Sequence, residues 1–254
     1  MPFQPRTLVR NGFTLIELSI ALVIIALLLG GLMMPLAAQR DLKSSSETQK
    51  QLASLNEALL GFASVNGRLP CPAAPSQTGE ESLSSGTASS GGPCANPWDG
   101  FLPDITLGIG PVDAQGYAVD RWGNRIRYAV TTSNSNAFTT SGEVKALWGN
   151  SPSTLVPDLS VCSTSTGIIG SGANAQCATG RALTTSAVVV IYSQGGNGGG
   201  AASSADELAN IDTRRTFVSH TPTPAGNGAE FDDLLVWLSP NTLYYRLISA
   251  GQLP

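Results

Sequence analysis

Glu17 is the residue whose type and position most clearly suggest chemistry. It is the only charged residue in the apolar run 13–34, where Thr14 and Ser19 are the only other polar side chains. A carboxylate at membrane depth costs at least about 2.5 kcal/mol and is usually kept for a functional partner. Because the run contains no Lys, Arg or His, the partner of Glu17 must be another molecule or a newly made amine.

The element that must position Glu17 is a predicted membrane helix. About 20 helical residues cross the hydrocarbon core of a bilayer, and the run is long enough. Arg6 and Arg10 precede it and no Lys or Arg follows before Arg40. The positive-inside rule therefore predicts a cytoplasmic N-terminus and a periplasmic or extracellular chain beyond residue 40. A plain signal anchor and a signal peptide cleaved near 36–38 are the alternatives.

The residues around Glu17 form a processing motif. The sequence Gly12-Phe13-Thr14-Leu15-Ile16-Glu17 resembles the cleavage site of type IV prepilins and type II secretion pseudopilins. The resemblance implies that prepilin peptidase cuts between Gly12 and Phe13 and that Phe13 is then N-methylated. It also implies that Glu17 pairs with the N-terminal amine of a neighbouring subunit, a pair that is stronger in a low dielectric than in water.

The resemblance also implies a pilin-like α+β fold, with a long N-terminal helix packed on an antiparallel β-sheet. The expected segments are a leader peptide (1–12), a transmembrane helix (13–35), an amphipathic helix that continues into the head (36–66) and a periplasmic head (67–254). Helical spacing supports the amphipathic part, because four apolar residues fall on one face. These residues are Leu52, Leu55, Leu59 and Phe62.

Within the head, the residue pattern predicts several shorter elements. Apolar or alternating runs favour strands at 125–130, 187–192 and 231–238, and a brief strand at 144–148. A turn at 120–124 precedes the first of these, and a short helix is expected at 241–250. The acidic pair at 232–233 could suggest acid–base chemistry, but adjacent strand residues point to opposite faces and cannot both address one substrate. A solvated strand start is therefore expected.

Four cysteines lie beyond the predicted membrane helix, in a compartment where disulfides form. They allow three pairings, of which Cys71–Cys94 and Cys162–Cys177 close the shortest loops. A zinc site is the alternative, but the chain has no CxxC motif and His220 is its single histidine. Disulfides are therefore the prediction.

A glycine-rich segment at 195–200 follows the strand predicted at 187–192. Major pseudopilins hold calcium in a loop at a similar place, so the resemblance makes calcium the one cofactor to consider. Its oxygen ligands would come from Asn197, Asp206, Glu207 and Asp212. The loop departs from the family pattern because it has no acid before Asp206. A flexible surface loop without a metal or cofactor is therefore the prediction, and calcium is the alternative.

Composition and missing motifs narrow the function. The formal net charge is −4 and no basic cluster exists, which argues against nucleic-acid binding. The sequence contains no GxSxG or HExxH motif and no plausible Cys/His pair. It therefore gives no indication of an enzyme. The chain is expected to be a structural subunit, minor or specialised, of a type IV pilus or type II secretion pseudopilus. A membrane-anchored periplasmic binding or adhesion module that does not polymerise is the alternative.

The resemblance also implies a location and partners. The subunit would cross the inner membrane once and later enter the pilus or pseudopilus. Its partners would be other pilin or pseudopilin subunits, prepilin peptidase and the inner-membrane assembly platform.

The first testable prediction concerns processing. We expect the mature chain to begin at Phe13, because the motif places the cleavage site directly after Gly12. Intact-mass analysis of the protein isolated from membranes measures this start, and co-expression without the peptidase supplies the unprocessed control. A chain that still carries Arg10 in cells that contain the peptidase would contradict the prediction.

Overall fold

A computed structural model describes residue 12 and residues 14–75, 78–198, 204–223 and 230–254, with the backbone alone for 29–38. The leader predicted at 1–12 therefore lies outside the described residues except for Gly12, and so does Phe13. The chain divides into two compact units, one that ends at Lys43 and one that runs from Ser44 to Pro254.

The first helix, α1 (Leu15–Asn66), is the single long N-terminal helix that the sequence predicts. It ends where it was expected to end, at a left-handed Gly67 whose N–H donates to the carbonyl of Ala63 at 2.8 Å. Among the described residues, no helix is both long enough and apolar enough to cross a membrane, so the predicted transmembrane half is not supported.

The head contains the remaining helices and all the strands of the described chain. The helices are α2 (Asp104–Leu107), α3 (Ser133–Asn136), α4 (Glu143–Asn150), α5 (Ala205–Leu208) and α6 (Pro240–Ser249), and short 3-10 helices lie at Ala137–Thr139, Pro152–Thr154 and Gly172–Asn174. The strands are β1 (Gly100–Phe101), β2 (Arg127–Val130), β3 (Leu159–Cys162), β4 (Ala182–Ala187), β5 (Val189–Ser193), β6 (Thr216–Val218) and β7 (Leu234–Leu238).

The strands form two sheets. The larger has the order β1-β2-β5-β7 with every pair antiparallel, as the α+β prediction requires, and β5 is central. The smaller has the order β4-β3-β6, and its β3–β6 pair is parallel. The parallel pair was not expected from the sequence.

One element was predicted wrongly. The segment 144–148 is part of helix α4 rather than a strand. Leu147 and Trp148 lie three and four residues after Val144, and all three pack on the main core. That spacing is typical of a helix, whereas the strand prediction rested on the apolar character of the segment alone.

The larger sheet is buried on both faces. On one face, Leu52, Leu55 and Leu59 of α1 share a core with the sheet residues Tyr128 and Ile191. On the other, the neighbouring strand residues pack against the smaller sheet, where Val190, Tyr192, Leu159, Val161 and Phe217 form a second core. Because side chains alternate along a strand, β5 contributes to both cores.

Two disulfides hold the long loops. Cys71 is joined to Cys94 and Cys162 to Cys177, which is the pairing that the sequence predicts. The first loop also carries a buried ion pair, because Nη2 of Arg68 lies 2.6 Å from Oε1 of Glu81 and both side chains are almost fully buried. Glu81 Oε2 accepts the backbone N–H of Cys71 at 3.1 Å as well.

The disulfides give a second prediction. The double substitution Cys162→Ala and Cys177→Ala should lower the free energy of unfolding by about 2–4 kcal/mol, because the bridge constrains the unfolded chain. Chemical denaturation in detergent measures this loss. Non-reducing peptide mapping should yield the two pairs above, and peptides that cross-link Cys71 or Cys94 to the other pair would contradict the fold.

Candidate functional site

Glu17 lies in the first turn of α1, where it forms a capping box with Thr14. Oε2 of Glu17 accepts the backbone N–H of Thr14 at 3.0 Å and its hydroxyl at 2.9 Å. In return, the hydroxyl oxygen of Thr14 accepts the backbone N–H of Glu17 at 3.3 Å. These contacts satisfy helix donors that would otherwise lack partners. Thr14 was missed as a site residue, although the spacing Thr-x-x-Glu is a known sequence sign of this cap.

The carboxylate of Glu17 has no cationic partner in the described part of the chain. Its side-chain hydrogen bonds go to Thr14, and no described ion pair includes it. The surrounding surface is apolar, because ten large apolar side chains between Leu15 and Leu28 of α1 are each more than half exposed. They are Leu15, Ile16, Leu18, Ile20, Leu22, Val23, Ile24, Ile25, Leu27 and Leu28.

Gly12 shows no structural need for a glycine. It is exposed, and a Cβ atom built on it would meet no described atom within 4 Å. Its φ also lies outside the positive range that favours glycine. The residue type at this position is therefore not explained by packing against the described residues. Its partner across the predicted cut, Phe13, lies outside the described residues.

The predicted turn at 120–124 organises the glycine-rich loop. Oδ1 of Asp120 accepts the N–H groups of Trp122 and Asn124 at 2.9 and 2.8 Å, and Oδ2 accepts the hydroxyl of Ser193 at 2.6 Å. Asn124 then donates its side-chain amide to the carbonyl of Gly195 at 2.7 Å. The turn thereby fixes the point at which the loop leaves β5.

The glycine-rich loop holds a carboxylate of its own chain. Oδ2 of Asp232 accepts the N–H groups of Gly196 and Asn197 at 2.8 and 3.3 Å. Gly195 has φ +65°, and a Cβ there would lie 2.3 Å from the carboxyl carbon of Asp232. The glycine is thus required by this close approach. Gly199 and Gly200 lie outside the described residues.

Beside this loop three carboxylates converge. One oxygen from each of Glu207, Asp232 and Asp233 lies within 4.8 Å of the others. Asp233 is only 5 % exposed, so the prediction of a solvated acidic pair is wrong. The reason is that β7 begins at Leu234, and both acids precede the strand alternation that was assumed for them.

Burial controls the charge of this cluster. It raises the pKa of Asp233 to about 7, although a hydrogen bond from the Asn210 side chain opposes this. Burial also raises the pKa of Asp232. Oδ1 of Asp232 is buried without a hydrogen-bond partner among the described residues. Keeping all three carboxylates of the cluster ionised would therefore cost free energy.

The four calcium candidates named from the sequence are only partly brought together. The side-chain amide of Asn197 donates to both carboxylate oxygens of Glu207, at 3.1 and 3.2 Å. Asp206 instead faces His220 at 3.1 Å, and Asp212 pairs with Arg214 at 3.2 Å. The three-carboxylate cluster suits a hard cation better than the four residues named from the sequence, and calcium binding stays an untested alternative.

Comparison with known proteins gives a match only for the N-terminal part of the chain. The prokaryotic N-terminal methylation motif matches residues 9–33. No curated protein and no solved structure matches the chain. The matched range includes Gly12 and the capping-box residues Thr14 and Glu17. The chain carries the prepilin-type cleavage and methylation signal, which supports a precursor of the type IV pilin or pseudopilin kind.

Proposed function

We propose that this protein is a structural subunit of a type IV pilus or a type II secretion pseudopilus, processed by prepilin peptidase and assembled through its N-terminal helix. The methylation motif at 9–33 is the observation that carries the proposal. The motif points to a structural subunit rather than to an enzyme. The long loops and two sheets of the head favour a minor or specialised role.

The exposed apolar side chains of α1 support this function, because a surface of this kind needs a cover. We propose that lipid of the inner membrane covers the segment from Leu15 to Leu28 before assembly, with the N-terminus in the cytoplasm and the head in the periplasm. The equivalent helices of neighbouring subunits would cover it in the filament. The peptidase and the assembly platform would be partners of the subunit as its helix passes from the membrane into the filament.

The capping segment indicates how Glu17 would find its amine. The contacts with Thr14 turn the carboxylate toward the start of the helix. Cleavage after Gly12 would create an ammonium group at Phe13. A neighbouring subunit that presents this amine to Glu17 supplies the cation that the described chain does not. Away from water such a pair is much stronger than at the surface.

The competing function is a membrane-anchored binding or adhesion module that does not polymerise. The exposed apolar helix fits both functions, because each needs an anchor. The two differ in Glu17, since a plain anchor has no use for a carboxylate in its apolar segment. A substitution of Glu17 therefore distinguishes the two functions by experiment.

The third prediction uses Glu17→Gln. Glutamine keeps an acceptor at the same position of the capping box but removes the charge. We expect the variant to insert in the membrane and to be cleaved, yet to enter sheared filaments at about one tenth of the wild-type level or less, since a charged partner is lost. Immunoblots of the membrane and sheared fractions measure this.

Two variants serve as controls. Thr14→Ala weakens the cap and keeps the carboxylate, so it should retain much more incorporation than Glu17→Gln. Glu17→Ala removes both the cap and the charge, so it should be at least as defective as Glu17→Gln. Wild-type incorporation of Glu17→Gln would support the non-polymerising module and would remove the assembly role of this residue.

A further inference from the structure

The head contains a cavity that neither the motif nor the acidic cluster involves. Its volume is about 600 Å³, within the range of about 300–1,000 Å³ that is usual for ligand sites. One wall is the face of α1 from Glu47 to Leu55. The segments 109–112 and 118–121 and Asp104 of α2 also line it.

Asp104 is the unusual residue of this cavity. It is fully buried, and its Oδ2 accepts the backbone N–H of Ala118 at 2.6 Å. Its Oδ1 is also buried but has no hydrogen-bond partner among the described residues. A buried acceptor without a donor costs about 1–3 kcal/mol, so native structures rarely keep one without a reason.

The charged groups around Asp104 are engaged elsewhere or exposed. Glu47 of α1 pairs with Arg121 at 3.1 Å, and Asp113 pairs with Arg125 at 2.7 Å. The Asp120 carboxylate is held by its own turn and by Ser193. Lys50 lines the cavity but is exposed. None of the described cations forms an ion pair with Asp104.

The isolation of Asp104 changes its protonation. Burial raises its pKa to about 7, against the opposing hydrogen bond from Ala118, and the nearby carboxylate of Asp113 adds to the rise. The cavity wall therefore holds a carboxyl group that is poised between its neutral and ionised forms near neutral pH. A donor placed against Oδ1 would favour the ionised form.

We propose that this cavity binds an alkylammonium group, with its N–H donors on Asp104 and its hydrocarbon stem against the apolar walls. An ammonium group supplies both the missing donor and the missing charge, which a neutral alcohol does not. Leu55, Ile109 and Val112 line the cavity and provide the apolar contacts for the stem. The group can belong to a small free amine or to a lysine side chain of another protein.

The proposal makes binding dependent on pH in a defined direction. Below the pKa of Asp104, the incoming ammonium must displace the carboxyl proton, so binding releases a proton and is weakened. Above this pKa the carboxylate is already ionised and binding is stronger. Alkylamines stay charged to about pH 10, so the change between about pH 6 and pH 8 reports the protein group.

The fourth prediction is tested by isothermal titration calorimetry of the full chain in detergent with n-butylamine. We expect affinity to rise several-fold from about pH 6 to about pH 8, with protons released at the lower pH. The number of protons follows from titrations in two buffers of different ionisation enthalpy. The neutral analogue n-butanol should bind at least about tenfold more weakly, since charged hydrogen bonds are stronger.

Matched variants locate the site. Asp104→Asn should weaken n-butylamine binding by about tenfold or more and abolish the dependence on pH. Glu57→Gln, at an exposed ion pair with Arg246 that does not line the cavity, should leave affinity within about twofold, because an exposed ion pair contributes little. Unchanged near-ultraviolet circular dichroism shows that each variant is folded, and the pH dependence of the wild type tests the site without any variant.

A second ligand separates the two sources of the ammonium group. Binding of Nα-acetyl-lysine amide with the same dependence on Asp104 supports a lysine side chain of a partner protein. Binding of n-butylamine alone supports a small free amine. The proposal is overturned if neither ligand binds, if n-butanol binds as well as n-butylamine, or if the wild-type affinity does not change with pH.

Discussion

The burial of apolar surface along α1 is the constraint on which this structure depends. In the head, Leu52, Leu55 and Leu59 are covered by the larger sheet and by α6. From Leu15 to Leu28 the same helix carries apolar side chains that no described residue covers. One part of the helix thus stabilises the head, and we propose that lipid or neighbouring subunits stabilise the other. The function proposed above follows from this difference and from the methylation motif.

Several carboxylates of this chain are held without a cationic partner among the described residues. Asp104 and Asp233 are both buried and both have a pKa raised to about 7. Asp232 accepts hydrogen bonds from backbone N–H groups of the glycine-rich loop. Glu17 accepts one from a backbone N–H group at the start of α1. In the last two cases backbone N–H groups take the place of a cation. Where such donors are too few, as at Oδ1 of Asp104, an external ligand becomes the reasonable partner.

The sequence predicts the locally encoded features well. The end of α1 at Asn66, the central strand β5 and the last helix follow from the apolar runs and spacing along the chain. The cleavage signal follows from adjacent residues alone. What the sequence does not reveal depends on contacts between distant segments. The parallel β3–β6 pair, the burial of Asp233 and the unpartnered oxygen of Asp104 each arise from residues far apart in the chain.

The central claim is that Glu17 receives the amine of a neighbouring, processed subunit inside a filament. Electron cryomicroscopy of sheared filaments that contain this chain tests it most directly. The account predicts a chain that begins at Phe13, with the Glu17 carboxylate within about 4 Å of the Phe13 nitrogen of an adjacent subunit. Filaments in which Glu17 faces solvent or another group, or in which the leader is retained, would contradict it.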